Sequence, residues 1–253
     1  MSKGESDLSR ARGAKAQRRQ QQYHAVENTI DFRPRTAAKP RPVELIPKSL
    51  GQEHLILSLG DAATTITVAV GPAGTGKSYL AMLAAIRALR QGDCERIVLT
   101  RPAVGVDDER HGFLPGDLNA KMEPWTRPLL DILREFYPQR EIIKMLEDQI
   151  IEISPLAYMR GRTFKTAWIV AEEMQNATPS QMKMLLTRLG QHSRIVVTGD
   201  VEQTDRHSTQ NGLLDLARRL QDHKIKGLDL CELGARDIQR HVMIGPILDL
   251  YQS

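Results

Sequence analysis

The sequence predicts an α/β fold in which a mostly parallel, RecA-like sheet is flanked by helices. The first observation behind this prediction is that apolar, strand-like segments alternate with helix-like segments from residue 43 onward. The second is a glycine-rich loop that follows the first strand and opens the next helix. The chain has 253 residues, which is enough for one such domain with its own hydrophobic core.

Six strands and five helices are predicted between residue 66 and the end of the chain. The strands are expected at Ile66–Val70, Arg96–Thr100, Ile150–Ile153, Ala167–Ala171, Arg194–Thr198 and Leu228–Cys231. The helices are expected at Lys77–Arg90, Arg127–Phe136, Pro179–Leu189, Gly212–Leu220 and Asp237–Tyr251. Thr178 is a good N-cap residue with Pro179 after it, while Gly92 and Gly190 follow two of the helix ends.

Basic residues are concentrated at the start of the chain. Residues 1–42 contain ten lysines and arginines against four acidic residues, so this segment carries +6 in a chain whose net charge is +4. Its polar, glutamine-rich composition cannot bury enough apolar surface to fold alone. We therefore predict a disordered basic tail over residues 1–42 and one domain over residues 43–253. The tail could contact nucleic-acid phosphates or act only as a solubilising arm.

Several classes of protein are disfavoured by what the sequence lacks. Two cysteines, Cys94 and Cys231, are too few for a disulfide framework or a zinc site, and the seven histidines show no metal-ligand spacing. The start of the chain has no apolar segment like a secretion signal, and no run approaches 18 uncharged apolar residues. We therefore expect a soluble, cytoplasmic protein with two buried thiols and no membrane partner.

The glycine-rich loop at residues 71–78, GPAGTGKS, matches the phosphate-binding pattern G-x-x-x-x-G-K-[ST] at every position. A strand before it and a helix after it are required, because the helix N-terminus offers free N–H groups to phosphate. Lys77 is expected to contact the β- and γ-phosphates, and the Ser78 hydroxyl to ligate Mg²⁺. The predicted nucleotide contacts are Gly71, Pro72, Ala73, Gly74, Thr75, Gly76, Lys77, Ser78 and Tyr79.

Polar side chains end the two strands that would complete this site. Glu172 and Glu173 follow the strand Ala167–Ala171, where Glu172 would hold Mg²⁺ and Glu173 would deprotonate the attacking water. Asp200 and Gln203 follow the next strand and would sense the γ-phosphate, since ligands bind at the carboxyl ends of parallel strands. The alternatives are a solvated Glu-Glu pair and a simple turn at Gly199.

Further blocks of sequence carry a family resemblance. They are RPAV…GFLPGDL, SPLAYMRGRT, EEMQNATPSQMKMLLTRLG, VVTGDVEQTD and DIQRH…ILDLY. With the phosphate loop, they resemble the PhoH family of phosphate-starvation-inducible P-loop ATPases over residues 43–253, in its short form without a further domain. The resemblance implies a core similar to one RecA-like half of a superfamily 1 helicase. It also implies ATP as the nucleotide, single-stranded RNA as substrate, and homo-oligomeric rings such as hexamers.

The resemblance also assigns residues outside the loop. Gln52 matches the position thought to read adenine. Family motifs contain Arg101, Arg160, Arg162, Arg240 and His241. One RecA-like half exposes a side of its ATP site, so Arg162 or Arg240 of a neighbouring subunit could act as an arginine finger. Surface arginines without such a role are the alternative.

One departure from the family affects the predicted activity. The family has Asp-Glu where this chain has Glu172-Glu173, and a small residue where this chain has Met174. The extra methylene at Glu172 shifts a carboxylate in a site where Mg²⁺ requires tight octahedral geometry. An Mg²⁺-dependent ATPase remains the leading prediction, and a nucleotide-gated binding module with little hydrolysis is the alternative.

Other functions fit the sequence less well. A GTPase is disfavoured because no N-K-x-D or T-K-x-D segment follows the loop. A small-molecule kinase would need an arginine-rich lid, which residues 102–163 could contain. Aromatic residues make up only 4% of the chain, so base stacking on exposed aromatics has little support as a mode of RNA binding.

Overall fold

A parallel sheet of six strands organises the domain. The computed structural model describes residues 41–102, 127–203 and 211–239, together with Met243 and Leu250. The strands are β1 Ile66–Val70, β2 Arg96–Thr100, β3 Ile151–Ile153, β4 Ala167–Ala171, β5 Arg194–Gly199 and β6 Leu228–Glu232. Their order in the sheet is β3-β2-β4-β5-β1-β6, and every neighbouring pair is parallel. The predicted α/β fold is therefore confirmed.

Helices cover both faces of this sheet. They are α1 Leu50–Gly60, α2 Lys77–Gln91, α3 Gln139–Glu147, α4 Pro179–Leu186 and α5 Gly212–Asp222, with a further helical segment at residues 127–134. Short 3-10 turns lie at Leu156–Met159, Met174–Asn176 and Ala235–Asp237. No described helix has both the length and the apolar character needed to cross a membrane.

Alternate residues of the strands feed two separate cores. On one face, Ile97, Val170 and Val196 pack with α1, α2, α3 and the segment 127–134. On the other face, residues such as Ile169 and Val197 pack with α4 and α5. This arrangement follows from the period of two along each strand, which sends successive side chains to opposite faces.

Both cysteines are buried, as the sequence predicts. Cys94 precedes β2 and Cys231 lies in β6. Burial in an apolar environment raises the pKa of Cys94 to about 11 and that of Cys231 to about 12. Both thiols are therefore protonated at neutral pH.

Helix α1 is not predicted by the sequence, and its composition explains the omission. In its sequence LGQEHLILSLG the polar and apolar residues are not separated onto opposite faces, so it lacks the contrast that marks an amphipathic helix. Leu55 and Leu59 are buried while Leu50 and Leu57 are exposed. Ser49 caps the helix by accepting a hydrogen bond from the Gln52 amide.

Three predicted helix ends differ from the structure by only one or two residues, whereas two boundaries are wrong by more. Helix α4 ends at Leu186, not at Leu189, because Leu189 forms a parallel bridge with Phe164. The helix expected to begin at Asp237 does not begin there, since this residue closes a 3-10 turn and Ile238 has extended backbone angles. The remainder of that predicted helix lies outside the described residues apart from Met243 and Leu250, as do the tail over residues 1–40 and Arg240.

Candidate nucleotide site

The phosphate loop connects β1 to α2, as its sequence predicts. Gly76 adopts φ +85° at the N-cap of α2, a left-handed conformation that strains residues with a side chain. No side chain caps this helix, so its first amide groups face the loop without competition from a cap. The end of β1 and the start of α2 thus form the anion-binding geometry expected of the pattern.

The ammonium group of Lys77 lies inside the loop. Its Nζ donates hydrogen bonds to the carbonyl oxygens of Gly71 at 2.6 Å and Pro72 at 2.8 Å, and to the Thr75 hydroxyl at 3.2 Å. Only 7% of Lys77 is exposed. To contact a phosphate oxygen, this ammonium must exchange at least one of its bonds to the loop.

Two glutamines from distant parts of the chain hold the loop backbone. The Gln52 side chain in α1 donates from Nε2 to the Thr75 carbonyl at 3.0 Å and accepts from the Lys48 amide at 2.8 Å. The backbone N–H of Gln239 donates to the Gly74 carbonyl at 2.8 Å. Gln52 therefore contacts the loop from the α1 side, and its reading of adenine stays a prediction.

The strand that carries the acidic pair is not the immediate neighbour of β1. Strand β5 lies between β1 and β4, so Glu172 at the end of β4 faces the loop across the end of β5. Even so, the Ser78 hydroxyl is close enough to the Glu172 carboxylate for hydrogen bonding to lower the pKa of that carboxyl. The two predicted Mg²⁺ ligands therefore lie near each other.

Glu172 is 8% exposed, and its surroundings raise the pKa of its carboxyl. Burial is the main cause, and the negative charge of Glu173 adds to it. The hydrogen bond from Ser78 and the positive charges of Arg101 and Lys77 act in the opposite direction. A divalent cation would compensate the buried negative charge, so this environment suits a metal ligand.

Glu173 lies beside Glu172 in a conformation that is uncommon for a residue with a side chain. Its backbone has φ +51° and ψ +38°, in the left-handed region. Its carboxylate accepts a hydrogen bond from the Gln175 side chain at 2.6 Å. The strained turn directs Glu173 into the same cavity as the phosphate loop, as its predicted role requires.

Gln175 is a residue of this site that the sequence analysis does not predict. Its Nε2 donates to Glu173, and its Oε1 accepts from the Asp200 amide at 3.2 Å, so it joins the ends of β4 and β5. A Cβ on Gly199 would lie 2.5 Å from that Oε1, which explains the glycine without invoking a turn. The one feature of the sequence that could have indicated this residue is its position two residues after the acidic pair Glu172-Glu173.

These residues surround a cavity of about 260 Å³. Its walls are Ala73, Gly74, Gly76, Lys77, Ser78, Tyr79, Glu173, Thr198, Gly199, Asp200 and Gln203. The structure therefore brings together the predicted phosphate loop, the predicted base and the predicted γ-phosphate sensors. Tyr79 is held at the rim by a hydrogen bond from its hydroxyl to Glu135 at 3.2 Å.

The described arginines of the family motifs, Arg101, Arg160 and Arg162, are not among the cavity walls. Arg162 forms an ion pair with Glu152 of β3 and donates a hydrogen bond to the Ser154 hydroxyl at 3.3 Å. Its guanidinium carbon also lies 4.5 Å from the centre of the Phe164 ring. Strand β3 is the sheet edge farthest from β6, with three strands between β3 and β1. Arg101 nevertheless lies close enough to affect the pKa of Glu172, a contact that its motif did not predict.

Comparison with known proteins identifies the family. The family model described as PhoH-like protein matches residues 44–252. Three PhoH-like proteins are similar to this chain. The protein of Synechocystis sp. (strain ATCC 27184 / PCC 6803 / Kazusa) is 40% identical over 235 residues, and that of Bacillus subtilis (strain 168) is 42% identical over 206 residues. The protein of Mycobacterium tuberculosis (strain ATCC 25618 / H37Rv) is 46% identical over 206 residues. These matches cover 92%, 81% and 81% of this chain but only 69%, 63% and 57% of the relatives. The chain therefore belongs to the PhoH-like family.

Proposed function

We propose that this protein is an Mg²⁺-dependent ATPase of PhoH type that acts on or with RNA. The observation that carries the proposal is the cavity in which the phosphate loop faces Glu173, Asp200 and Gln203. Family membership supports nucleotide binding, and the geometry adds a carboxylate positioned to act on a water molecule.

The loop residues account for binding in this proposal. Backbone amides of residues 74–78 and the Lys77 ammonium hold the phosphates, and Ser78 with Glu172 would hold Mg²⁺. The metal neutralises charge on the β- and γ-phosphate oxygens when it is bound. Oxygen ligands of this kind are those that Mg²⁺ prefers.

The residues at the ends of β4 and β5 account for hydrolysis. Glu173 accepts a proton from the attacking water, while Gln175 orients the Glu173 carboxylate through its 2.6 Å hydrogen bond. Asp200 and Gln203 lie on the cavity wall where they would contact the γ-phosphate or the water. The same hydrogen-bonded chain runs from Glu173 through Gln175 to the Asp200 backbone.

The first experiment measures Mg²⁺-dependent phosphate release from ATP. Glu173→Gln should keep ATP affinity but lower the release rate about 10²–10⁴-fold, the range typical of a missing general base. Lys77→Ala should lose both ATP affinity and phosphate release. Because Lys77 also forms hydrogen bonds with the loop backbone, thermal unfolding checks that this variant still folds. Wild-type rates in Glu173→Gln would contradict the proposal, and transfer to an added acceptor instead of release would indicate a kinase.

Glu172 favours one second candidate, a nucleotide-gated binding module that hydrolyses ATP slowly or not at all. Its side chain is buried near Ser78, and it is one methylene longer than the aspartate of the resembled family. Under this alternative the wild type binds ATP but releases no phosphate. Glu172→Asp would then restore release, whereas in an active ATPase it would change the rate little.

Action on RNA and assembly into a homo-oligomeric ring complete the proposal. Single-stranded RNA is expected to raise the rate of phosphate release, and the rate per chain is expected to fall on dilution. Because Arg162 is engaged by Glu152 and Phe164 of its own chain, Arg240 is the preferred arginine finger and Arg162→Ala the matched control. Undiminished ATPase activity in a monomer at low protein concentration would rule out an arginine supplied by a neighbour.

A further inference from the structure

A group of three metal-ligating side chains lies between α1 and the edge strand β6. Asp229 and Cys231 alternate along β6, so both side chains face the same side of the sheet. His54 lies in α1, which packs against β6. In the described part of the chain, this is the one group of three such residues whose ligand atoms converge. It runs against the sequence-based expectation of no zinc site, because that expectation rests on spacing along the chain and His54 is distant in sequence from the other two residues.

The distances within the group suit a small tetrahedral ion. His54 Nε2 lies 3.4 Å from Asp229 Oδ2, and Cys231 Sγ lies 3.6 Å from the same oxygen. All three ligand atoms lie within 4.8 Å of one another. Around tetrahedral zinc, with bonds of about 2.0–2.3 Å, neighbouring ligand atoms are separated by about 3.4–3.6 Å. Two of the three separations therefore already match.

We propose that His54, Asp229 and Cys231 form a binding site for a transition-metal ion of the Zn²⁺ class. An imidazole nitrogen, a carboxylate oxygen and a thiolate sulfur are ligands that zinc accepts, whereas Mg²⁺ and Ca²⁺ select oxygen. Three protein ligands leave the fourth position to water. The site is separate from the phosphate loop and does not depend on the proposed ATPase function.

Binding requires only small changes in the structure. The Cys231 thiol now donates a hydrogen bond to Asp229, and on binding its proton passes to solvent while sulfur and oxygen both bond the metal. The His54 side chain is 54% exposed, so its ring can rotate to shorten the remaining separation from sulfur. Cys231 is fully buried against α1, so its sulfur stays fixed as the anchor of the site.

A bound ion would join two elements that both contact the phosphate loop or the strand before it. Gln52, two residues before His54 in α1, bonds the Thr75 carbonyl. Leu233, two residues after Cys231, donates its amide to the Val70 carbonyl. We therefore expect metal to raise the temperature of thermal unfolding of the free protein, because an ion that binds the folded state stabilises it.

Cobalt absorption tests the site without reference to ATPase activity. The full chain is freed of metal with a chelator and titrated with Co²⁺ in the absence of nucleotide and Mg²⁺. A thiolate-to-cobalt charge-transfer band should saturate at one ion per chain and disappear on addition of Zn²⁺. Oxygen ligands at the phosphate loop cannot produce this band, so the two sites are distinguished.

Two variants and a matched control decide the assignment. Cys231→Ala should abolish the band, while Cys94→Ala, at the other buried cysteine, should leave it unchanged. His54→Ala changes an exposed side chain, so it should fold normally and bind Co²⁺ at least ten-fold more weakly. No band in the wild type, a band unaffected by Cys231→Ala, or equal affinity in His54→Ala would each overturn the proposal.

Discussion

Gln175 determines how the edge of the sheet that carries the site is held together. Its side-chain amide donates to Glu173 on one side and accepts from the Asp200 backbone on the other, so it links the ends of β4 and β5. The absence of a side chain at Gly199 leaves room for this amide. The Glu173 carboxylate, which a strained backbone turn directs into the cavity, is therefore oriented by a neighbouring side chain that does not line the cavity itself.

Replacing Gln175 should slow hydrolysis without weakening nucleotide binding. In Gln175→Ala we expect ATP affinity to stay within about two-fold and phosphate release to fall about 10²-fold, the cost of a misplaced catalytic group. Single-turnover phosphate release and nucleotide titration separate the two effects. Gln191→Ala, at an exposed glutamine, serves as the control, and equal rates in the two variants would show that Gln175 does not position Glu173.

Among individual residues, the sequence predicts which ones lie near one another better than it predicts their contacts. Glu173 and Asp200 follow two parallel strands whose carboxyl ends share one edge, Lys77 and Ser78 belong to the loop pattern, and all four line the cavity. Gln175 is not predictable, because its importance comes from two contacts made across strands, which no local pattern records. For Arg162 the sequence motif carries no information about Glu152, the partner that binds it.

Helix α1 contacts the 3-10 turn Ala235–Asp237, although the two elements are distant in sequence. Asp237 accepts hydrogen bonds from the backbone amides of Gly51 at 3.2 Å and Gly234 at 2.7 Å. The nearby Ser49 hydroxyl is the main cause that lowers the pKa of Asp237 below its ordinary value of 3.8, and the two amides add to it. A negative charge at this position also interacts favourably with the N-terminus of α1.

The contribution of Asp237 to stability should depend on pH. A carboxyl whose pKa is lowered on folding stabilises the protein above its unfolded pKa, and the contribution is lost as pH falls through the folded pKa. Asp237→Asn should therefore lower the free energy of unfolding by about 1 kcal/mol at pH 7, with a difference that shrinks below about pH 4. Urea unfolding across this range measures the difference.

Asp222→Asn, at an exposed aspartate at the end of α5, is the control for this prediction. It should change the free energy of unfolding little at any pH, because it removes no described hydrogen bond to a carboxylate. A loss of stability in Asp237→Asn that stayed constant from pH 7 to pH 3 would contradict this prediction. It would mean that the packing of the side chain, and not the charge of its carboxylate, contributes to stability.

Among the elements, strands are easier to predict than helices and their ends. Strand positions follow from short apolar runs, and all six described strands begin and end within one residue of the prediction. Helix α1 is not predicted because its polar and apolar residues are not separated onto distinct faces. The ends of α4 and of the final segment depend on Leu189 pairing with Phe164 and Gln239 bonding Gly74, which are contacts distant in sequence.

Across the full chain, charge separates the tail from the domain. Residues 1–42 carry +6, so the remaining chain carries a net −2. Phosphate contacts made by such a tail are electrostatic and carry no sequence preference. If RNA is a substrate, the tail would increase the local concentration of RNA near a domain that is itself slightly acidic.

Removing residues 1–40 should weaken RNA binding without changing ATP hydrolysis in the absence of RNA. The plot of log affinity against log salt concentration should become less steep by about 0.7 for each phosphate of single-stranded RNA that the tail neutralises. Fluorescence anisotropy at several salt concentrations measures this slope. A full-length variant whose tail lysines and arginines are replaced by glutamine separates charge from length, and an unchanged slope in both would assign the tail to solubility.

The hydrogen bonds from Gln52 and Gln239 to the phosphate loop set a limit on how far the protein can be shortened. A fragment from β1 to β6 keeps all six described strands and the complete glycine-rich motif, yet it lacks both backbone restraints on Thr75 and Gly74. The conformation of the loop thus depends on a longer stretch of chain than the motif suggests. A fragment that keeps both restraints must begin before Ser49 and include Gln239.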